Sequence, residues 1–159
     1  MKELHILLVE DSPSDVRLIK EALKSAPVKI HLTVASDGVE AMNMLNGVEQ
    51  DVVFPDLVVL DLNLPRKNGR EVLAEIKQSP RLKHIPVLVM TSSSSDDDVT
   101  AAYELNANCY ITKPFDLDAY VRVVQAIEDF WMCTATLPDA AQALRLANRP
   151  GLRKRARAS

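Results

Sequence analysis

The chain has 159 residues, 47% of them hydrophobic but only 4% aromatic, so a single core of Val, Leu, Ile, Ala and Met is expected. No apolar run is long enough to span a bilayer, the N-terminus lacks a signal peptide's apolar stretch, and Cys109 and Cys133 fit reduced thiols, which together predict a cytoplasmic protein. The net charge of −3 is uneven: residues 149–159 hold five of the 19 basic residues and no acidic one, leaving 14 against 22, or −8, for residues 1–148.

In chain order, the first apolar run is Ile6–Val9. Glu10 and Asp11 follow it. Ser12-Pro13 then supplies a cap and a proline at the first helical position. Val16, Ile19 and Leu23 repeat at helical spacing behind them. The second run, Ile30–Val34, leads to Ser36 or Asp37 as a cap and to a helix carrying Val39, Met42 and Leu45. Asn46–Pro55 is a longer loop than the pattern needs. Leu57–Leu60 is the third run and ends in Asp61. Val72, Leu73 and Ile76 share the face of the helix after it. Val87–Met90 ends in Thr91-Ser92, and the polar stretch through Ser95 and Asp96-Asp97-Asp98 is predicted to cap a fourth helix. On that helix Val99, Ala102, Tyr103 and Leu105 form the apolar side. Cys109–Ile111 is followed by Thr112-Lys113-Pro114. Asp116 caps a fifth helix striped by Leu117, Val121, Val124 and Ile127.

Nearly continuous apolar strands are buried on both faces, as in parallel sheets. Three of the five runs are nearly continuous in this way, and five strands alternating with five helices predict an α/β fold, a doubly wound five-stranded parallel sheet. Residues 149–159 are predicted to be a solvated, disordered tail, since Pro, Gly and Arg cannot bury an apolar face.

Ligands of a doubly wound sheet bind beyond the carboxyl ends of its strands. There the sequence puts Glu10-Asp11, Asp61, Thr91 and Lys113 at four strand ends. Clustered carboxylates repel one another unless a cation neutralises them. Mg2+, which prefers oxygen ligands and water, suits that task. An ionised, oriented carboxylate can attack a phosphoryl group and become an acyl phosphate. A lysine then supplies positive charge and a hydroxyl donates to a remaining oxygen. A lone Asp after a strand is ordinarily a turn or helix cap. Four such features at successive strand ends are hard to explain that way.

The same residues resemble those of response-regulator receiver domains. Val9-Glu10-Asp11-Ser12 resembles the acidic pair after the first strand. Val58 to Pro65 with Gly69 resembles the phosphoacceptor motif. Pro86 to Ser92 and Tyr110 to Phe115 resemble the fourth and fifth strands with their hydroxyl, aromatic and lysine. The resemblance covers residues 4 to about 130, giving a receiver domain over 1–130. It implies a (βα)5 flavodoxin-like receiver fold. It also implies that Asp61 takes phosphate from a sensor histidine kinase. Asp11, Asp61 and the backbone carbonyl of Asn63 would hold Mg2+, with Glu10 nearby through water. Lys113 would contact the acyl phosphate, and Thr91 and Tyr110 would act as the switch, altering the surface of helix four, strand five and helix five.

Phe130 to Pro138, together with the Asn46–Pro55 loop, resembles the small stand-alone regulators paired with bacterial phytochromes. That implies a bacteriophytochrome-type kinase as partner and a homodimer through an extension over 131–148, with Phe130 and Trp131 in the interface. The alternative for these rings is to fold back on their own core. An aspartate-nucleophile phosphatase needs an acid two residues after the nucleophile, where this chain has Asn63. A flavodoxin-type cofactor binder needs a Ser/Thr/Gly phosphate loop where Glu10-Asp11 stand. Residues 131–159 are too few for a DNA-binding domain. A receiver-shaped scaffold or adaptor that is never phosphorylated is the remaining alternative, and the full residue set argues against it. The protein is thus expected to be a switch, not an enzyme acting on a separate substrate.

Overall fold

Strands and helices alternate five times, as the apolar pattern predicts. The computed structural model describes residues 3–47 and 54–139, together with 142 and 145. Most of the Asn46–Pro55 loop and the whole basic tail therefore lie outside the described residues. The order is β1 (Glu3–Val9), α1 (Pro13–Leu23), β2 (Lys29–Ala35), α2 (Gly38–Leu45), β3 (Leu57–Leu60), α3 (Gly69–Gln78), β4 (Val87–Thr91), α4 (Asp96–Glu104), β5 (Cys109–Thr112) and α5 (Leu117–Ile127). A seven-residue π-helical segment, Glu128–Thr134, prolongs α5.

The five strands form one parallel sheet in the order β2-β1-β3-β4-β5. The winding direction reverses between β1 and β3, so their carboxyl ends open a crevice there. Every residue of β3 and β4 is buried, which is why their sequences are apolar throughout up to Thr91 at the end of β4. Two apolar layers cover the sheet. On one face Leu7, Val9, Val58, Leu60, Val87 and Val89 meet α2, α3 and α4. On the other Leu4, Ile6, Leu8, Leu57, Val59 and Met90 meet α1 and α5.

The helix starts follow local chemistry. Ser12, Asp37, Asn68, Ser95 and Asp116 each accept a hydrogen bond from the backbone N–H three residues on, satisfying donors that the first turn leaves open. Between the two caps the sequence allowed for α2, Asp37 is the one used, and Ser95 caps α4 ahead of its three aspartates.

Three apolar residues lie differently from their spacing. Tyr103 is 49% and Leu117 52% exposed, while Tyr120 is fully buried between α5 and the sheet. The inward row of α5 is thus Tyr120, Val124 and Ile127. Trp131 folds back against this layer along with buried Met132, whereas Phe130 stays 53% exposed and meets the Trp131 ring edge-on at 5.1 Å. No helix among the described residues is long and apolar enough to cross a membrane.

Candidate functional site

The site is assembled by backbone register at the carboxyl ends of β1, β3, β4 and β5. Val9 is paired with Leu60, so the residues that follow, Glu10 and Asp61, emerge side by side. The Asp61 N–H donates to the Val9 carbonyl at 3.0 Å, and the Glu10 N–H donates to the Ala35 carbonyl at 3.0 Å. These bonds carry the ladder one step past the last strand residues and aim both carboxylates upward. Thr91 pairs with Thr112, and the Lys113 N–H donates to the Thr91 carbonyl at 2.8 Å. Lys113 thus leaves β5 pointing across the crevice.

Glu10 and Asp61 are 3% and 4% exposed, and Thr91 is fully buried. The Lys113 ammonium donates to Asp61 Oδ2 at 2.8 Å and meets Glu10 Oε2 at 2.8 Å. Its third contact is Asp15 Oδ2 at 3.0 Å. The other Asp61 oxygen, Oδ1, accepts the Asn63 N–H at 3.0 Å, and Glu10 Oε1 accepts the Ser12 N–H at 3.1 Å. The Asn63 side-chain amide reaches Thr91 Oγ1 at 3.5 Å. The Tyr110 hydroxyl donates to the Ser93 carbonyl at 2.8 Å, joining β5 to the loop after β4.

Burial and pairing act in opposite directions on these charges. Burial pushes the Glu10 carboxyl up to about 7, even against the pull of Lys113. Burial acts the same way on Asp61, but the bonds from Lys113 and the Asn63 N–H outweigh it and hold Asp61 below the usual carboxylate range. For Lys113 burial opposes the charge, yet Asp61, Glu10 and Asp15 together raise it above the ordinary lysine value. These bonds thus favour the anionic form of Asp61.

The donor set fits a divalent cation. Oxygens of Glu10, Asp11 and Asp61 lie within 4.8 Å of one another. Among the described residues, Lys113 is paired with the carboxylates of Glu10, Asp15 and Asp61, and Asp11 stands beside Glu10 and Asp61, so acidic groups outnumber the one ammonium. All-oxygen, acidic ligands suit a hard ion.

Glu3, His5 and His31 form a second cluster at the opposite end of β1 and β2. There Lys29 and His31 each hold one Glu3 oxygen at 3.0 Å, and the two imidazoles stack at 4.7 Å. That is an ion pair across the strand edge and contributes nothing to the crevice.

The structure brings Glu10, Asp61, Thr91 and Lys113 together as their strand-end positions imply, with Asp11 and Asn63 at the rim. Tyr110 stands behind Thr91 on the side of the loop it bonds. Phe130 and Trp131 are away from this crevice. Asp15 is the participant that the sequence did not reveal, since it lies in the first turn of α1 and not at a strand end.

The model of the response regulator receiver domain matches residues 6–128. The chain belongs to that family. Response regulator Rcp1 of Synechocystis is 53% identical over 137 residues, which cover 85% of this chain and 93% of Rcp1. The solved Mn2+-bound form of Rcp1 superposes with a TM-score of 0.82 at 51% identity, over 86% of this chain and 99% of that one. The phosphorylated cyanobacterial phytochrome response regulator RcpA gives a TM-score of 0.84 at 48% identity, over 87% and 100%. The bacteriophytochrome response regulator AtBRR gives 0.66 at 36% identity, over 87% and 100%. The protein is thus a response regulator of two-component signalling, similar to those that serve phytochromes.

Proposed function

We propose that Asp61 is the phosphoacceptor and that the protein works as a stand-alone switch without turnover of a separate substrate. One observation carries the reading: Asp61 is a buried carboxylate, held ionised, with one oxygen on Lys113 at 2.8 Å and the other on the Asn63 N–H at 3.0 Å. An anion fixed in this way presents its lone pairs in one direction and loses little entropy on reaction. Asp11, Asp61 and the backbone carbonyl of Asn63 would hold Mg2+, with Glu10 close through water. The ion would supply the positive charge that lets a phosphoryl group approach so many carboxylates. Lys113 contacts the phosphoryl oxygens as a point charge. Thr91 Oγ1 accepts from the Asn63 amide, which leaves its own O–H to donate to a phosphoryl oxygen. A shift of the Thr91 loop then bears on Tyr110 through the Ser93 carbonyl. The readout falls on the surface of α4, β5 and α5, where Tyr103, Phe115 and Leu117 are exposed.

The phosphodonor is a sensor histidine kinase of the bacteriophytochrome type, a reading that the phytochrome response regulators named above support, and the site of action is the cytoplasm. Residues 1–130 form the receiver, 131–148 an extension and 149–159 a basic tail. A homodimer through β5, α5 and the extension is favoured by an apolar groove of about 300 Å3 lined by Cys109, Ile111, Val123, Ile127, Phe130 and Trp131. It lies beside β5, the edge strand of the sheet. Incubation with acetyl phosphate and Mg2+, followed by intact-mass measurement, tests the acceptor. One phosphoryl group is expected on the wild type and none on Asp61→Asn. A gain that persists in the variant refutes the assignment.

A further inference from the structure

Lys113 is fully committed before any phosphoryl group arrives. An ammonium has three N–H donors. Here Asp61 takes one at 2.8 Å and Asp15 another at 3.0 Å, while the Glu10 carboxylate closes off the ammonium as an ion pair at 2.8 Å. An acyl phosphate on Asp61 brings new oxygens that need one of those donors. Asp61 gives up its carboxylate charge in the reaction and frees one donor; a hold on more than one phosphoryl oxygen needs a second, which Glu10 or Asp15 must release.

The three partners are not equal. The Glu10 side chain is 2% exposed and Asp61 5%, whereas Asp15 is 23% exposed. Asp15 also has the longest contact, and it lies outside the group of oxygens that Glu10, Asp11 and Asp61 bring together. It sits in the first turn of α1, three residues after the Ser12 cap. There, water and the positive end of the helix dipole can hold its charge once the lysine leaves. Releasing Glu10 would instead strand a buried charge.

We infer that Asp15 is a positioning residue that competes with the incoming phosphoryl group for Lys113, and so holds back phosphorylation of the resting protein. This rests on Asp61 being the acceptor. With acetyl phosphate as donor, an Asp61 oxygen forms a bond to phosphorus while the phosphorus–oxygen bond to acetate breaks. Acetate departs with the electron pair. As the phosphoryl group arrives, a Lys113 N–H passes from Asp15 to a phosphoryl oxygen. Asp15 opposes the step in two ways, by occupying the lysine and by repelling the phosphoryl charge.

The test uses the full chain with saturating Mg2+ and acetyl phosphate at fixed pH and ionic strength, with intact mass followed over time. Asp15→Asn is expected to accelerate phosphorylation roughly threefold to tenfold, the range spanned by a partly exposed charge pair up to a somewhat more buried one. Asp15→Glu, which restores the charge, reverses most of that gain. That split separates competition for charge from a structural role in α1. An Asp15→Asn rate at or below the wild-type rate overturns the inference, as does an Asp15→Glu variant as fast as Asp15→Asn. Asp61→Asn is run alongside. If it too gains a phosphoryl group, the acceptor assignment has failed and this inference fails with it. If it does not, the Asp15 rates judge the inference alone.

Discussion

At the scale of single residues, the site is a balance between burial and charge. Glu10 carries the clearest consequence. Its folded-state pKa of about 7 lies above the ordinary value of 4.5 because the carboxylate is buried. The folded protein therefore binds this proton more tightly than the unfolded chain does. The resulting stabilisation is fully present below pH 4.5 and is lost as pH rises through about 7. Without a divalent cation, Glu10→Gln should then raise stability at pH 8 by about 1–3 kcal/mol and have little effect at pH 4.5. Urea melts of both proteins in chelator, at the two pH values, would show it, and an equal change at both would contradict the linkage. Adding Mg2+ should shrink the difference, since a bound cation offsets the same charge. The main members of this site were legible because each ends a strand: Glu10 and Asp11 after β1, Asp61 after β3, Thr91 at β4 and Lys113 after β5. Asp15 was not. It stands in the first turn of α1 and ends no strand, and its contact with Lys113 spans 98 positions of sequence.

At the scale of elements, the strands were readable because burial on both faces leaves unbroken apolar runs, and most helices because a cap precedes an apolar stripe. What spacing did not show is how closely the elements approach one another. The first residue of α3, Gly69, donates its N–H to the Leu62 carbonyl at 2.9 Å. An added Cβ there would overlap the Asp61 carbonyl oxygen and Leu62 Cα. The loop carrying Asp61 and Asn63 is thus pressed against the start of α3. Gly69→Ala is expected to cost about 1–3 kcal/mol in a urea melt, as overpacking does. It should also slow labelling by acetyl phosphate, because the displaced backbone is that of the acceptor. Unchanged stability would mean that the loop can give way freely. The end of α4 was equally hidden. Asn106 takes a left-handed conformation with φ of 69°. Its N–H and that of Ala107 return to the Tyr103 and Ala102 carbonyls at 2.9 and 3.0 Å. Asn tolerates this conformation better than other residues with a Cβ. Asn106→Ala should therefore lower stability by about 1 kcal/mol, again measured by denaturant melt.

At the scale of the whole molecule, the extension beyond α5 divides two aromatic roles that the sequence could not separate. Both rings could face a partner copy or their own core, since Phe130 and Trp131 are adjacent and either reading suits an apolar pair. The geometry assigns them differently. Trp131 packs against the layer formed by α1, α5 and the sheet, while Phe130 is 53% exposed at the rim of the groove beside β5. An exposed aromatic next to a sheet edge is a natural anchor for a second subunit. The two positions should then respond differently to substitution. Trp131→Ala removes core packing and should lower the thermal midpoint of the monomer along with any dimer. Phe130→Ser removes a half-exposed ring and its edge contact with Trp131, and should lower the midpoint of the isolated subunit much less than Trp131→Ala while shifting the protein from dimer to monomer. Light scattering coupled to gel filtration at micromolar concentration, with melts on the same samples, distinguishes these effects. A wild type that elutes as a monomer with and without acetyl phosphate and Mg2+ would rule out this face as a self-association surface. A dimer that survives Phe130→Ser would place the contact elsewhere on the molecule.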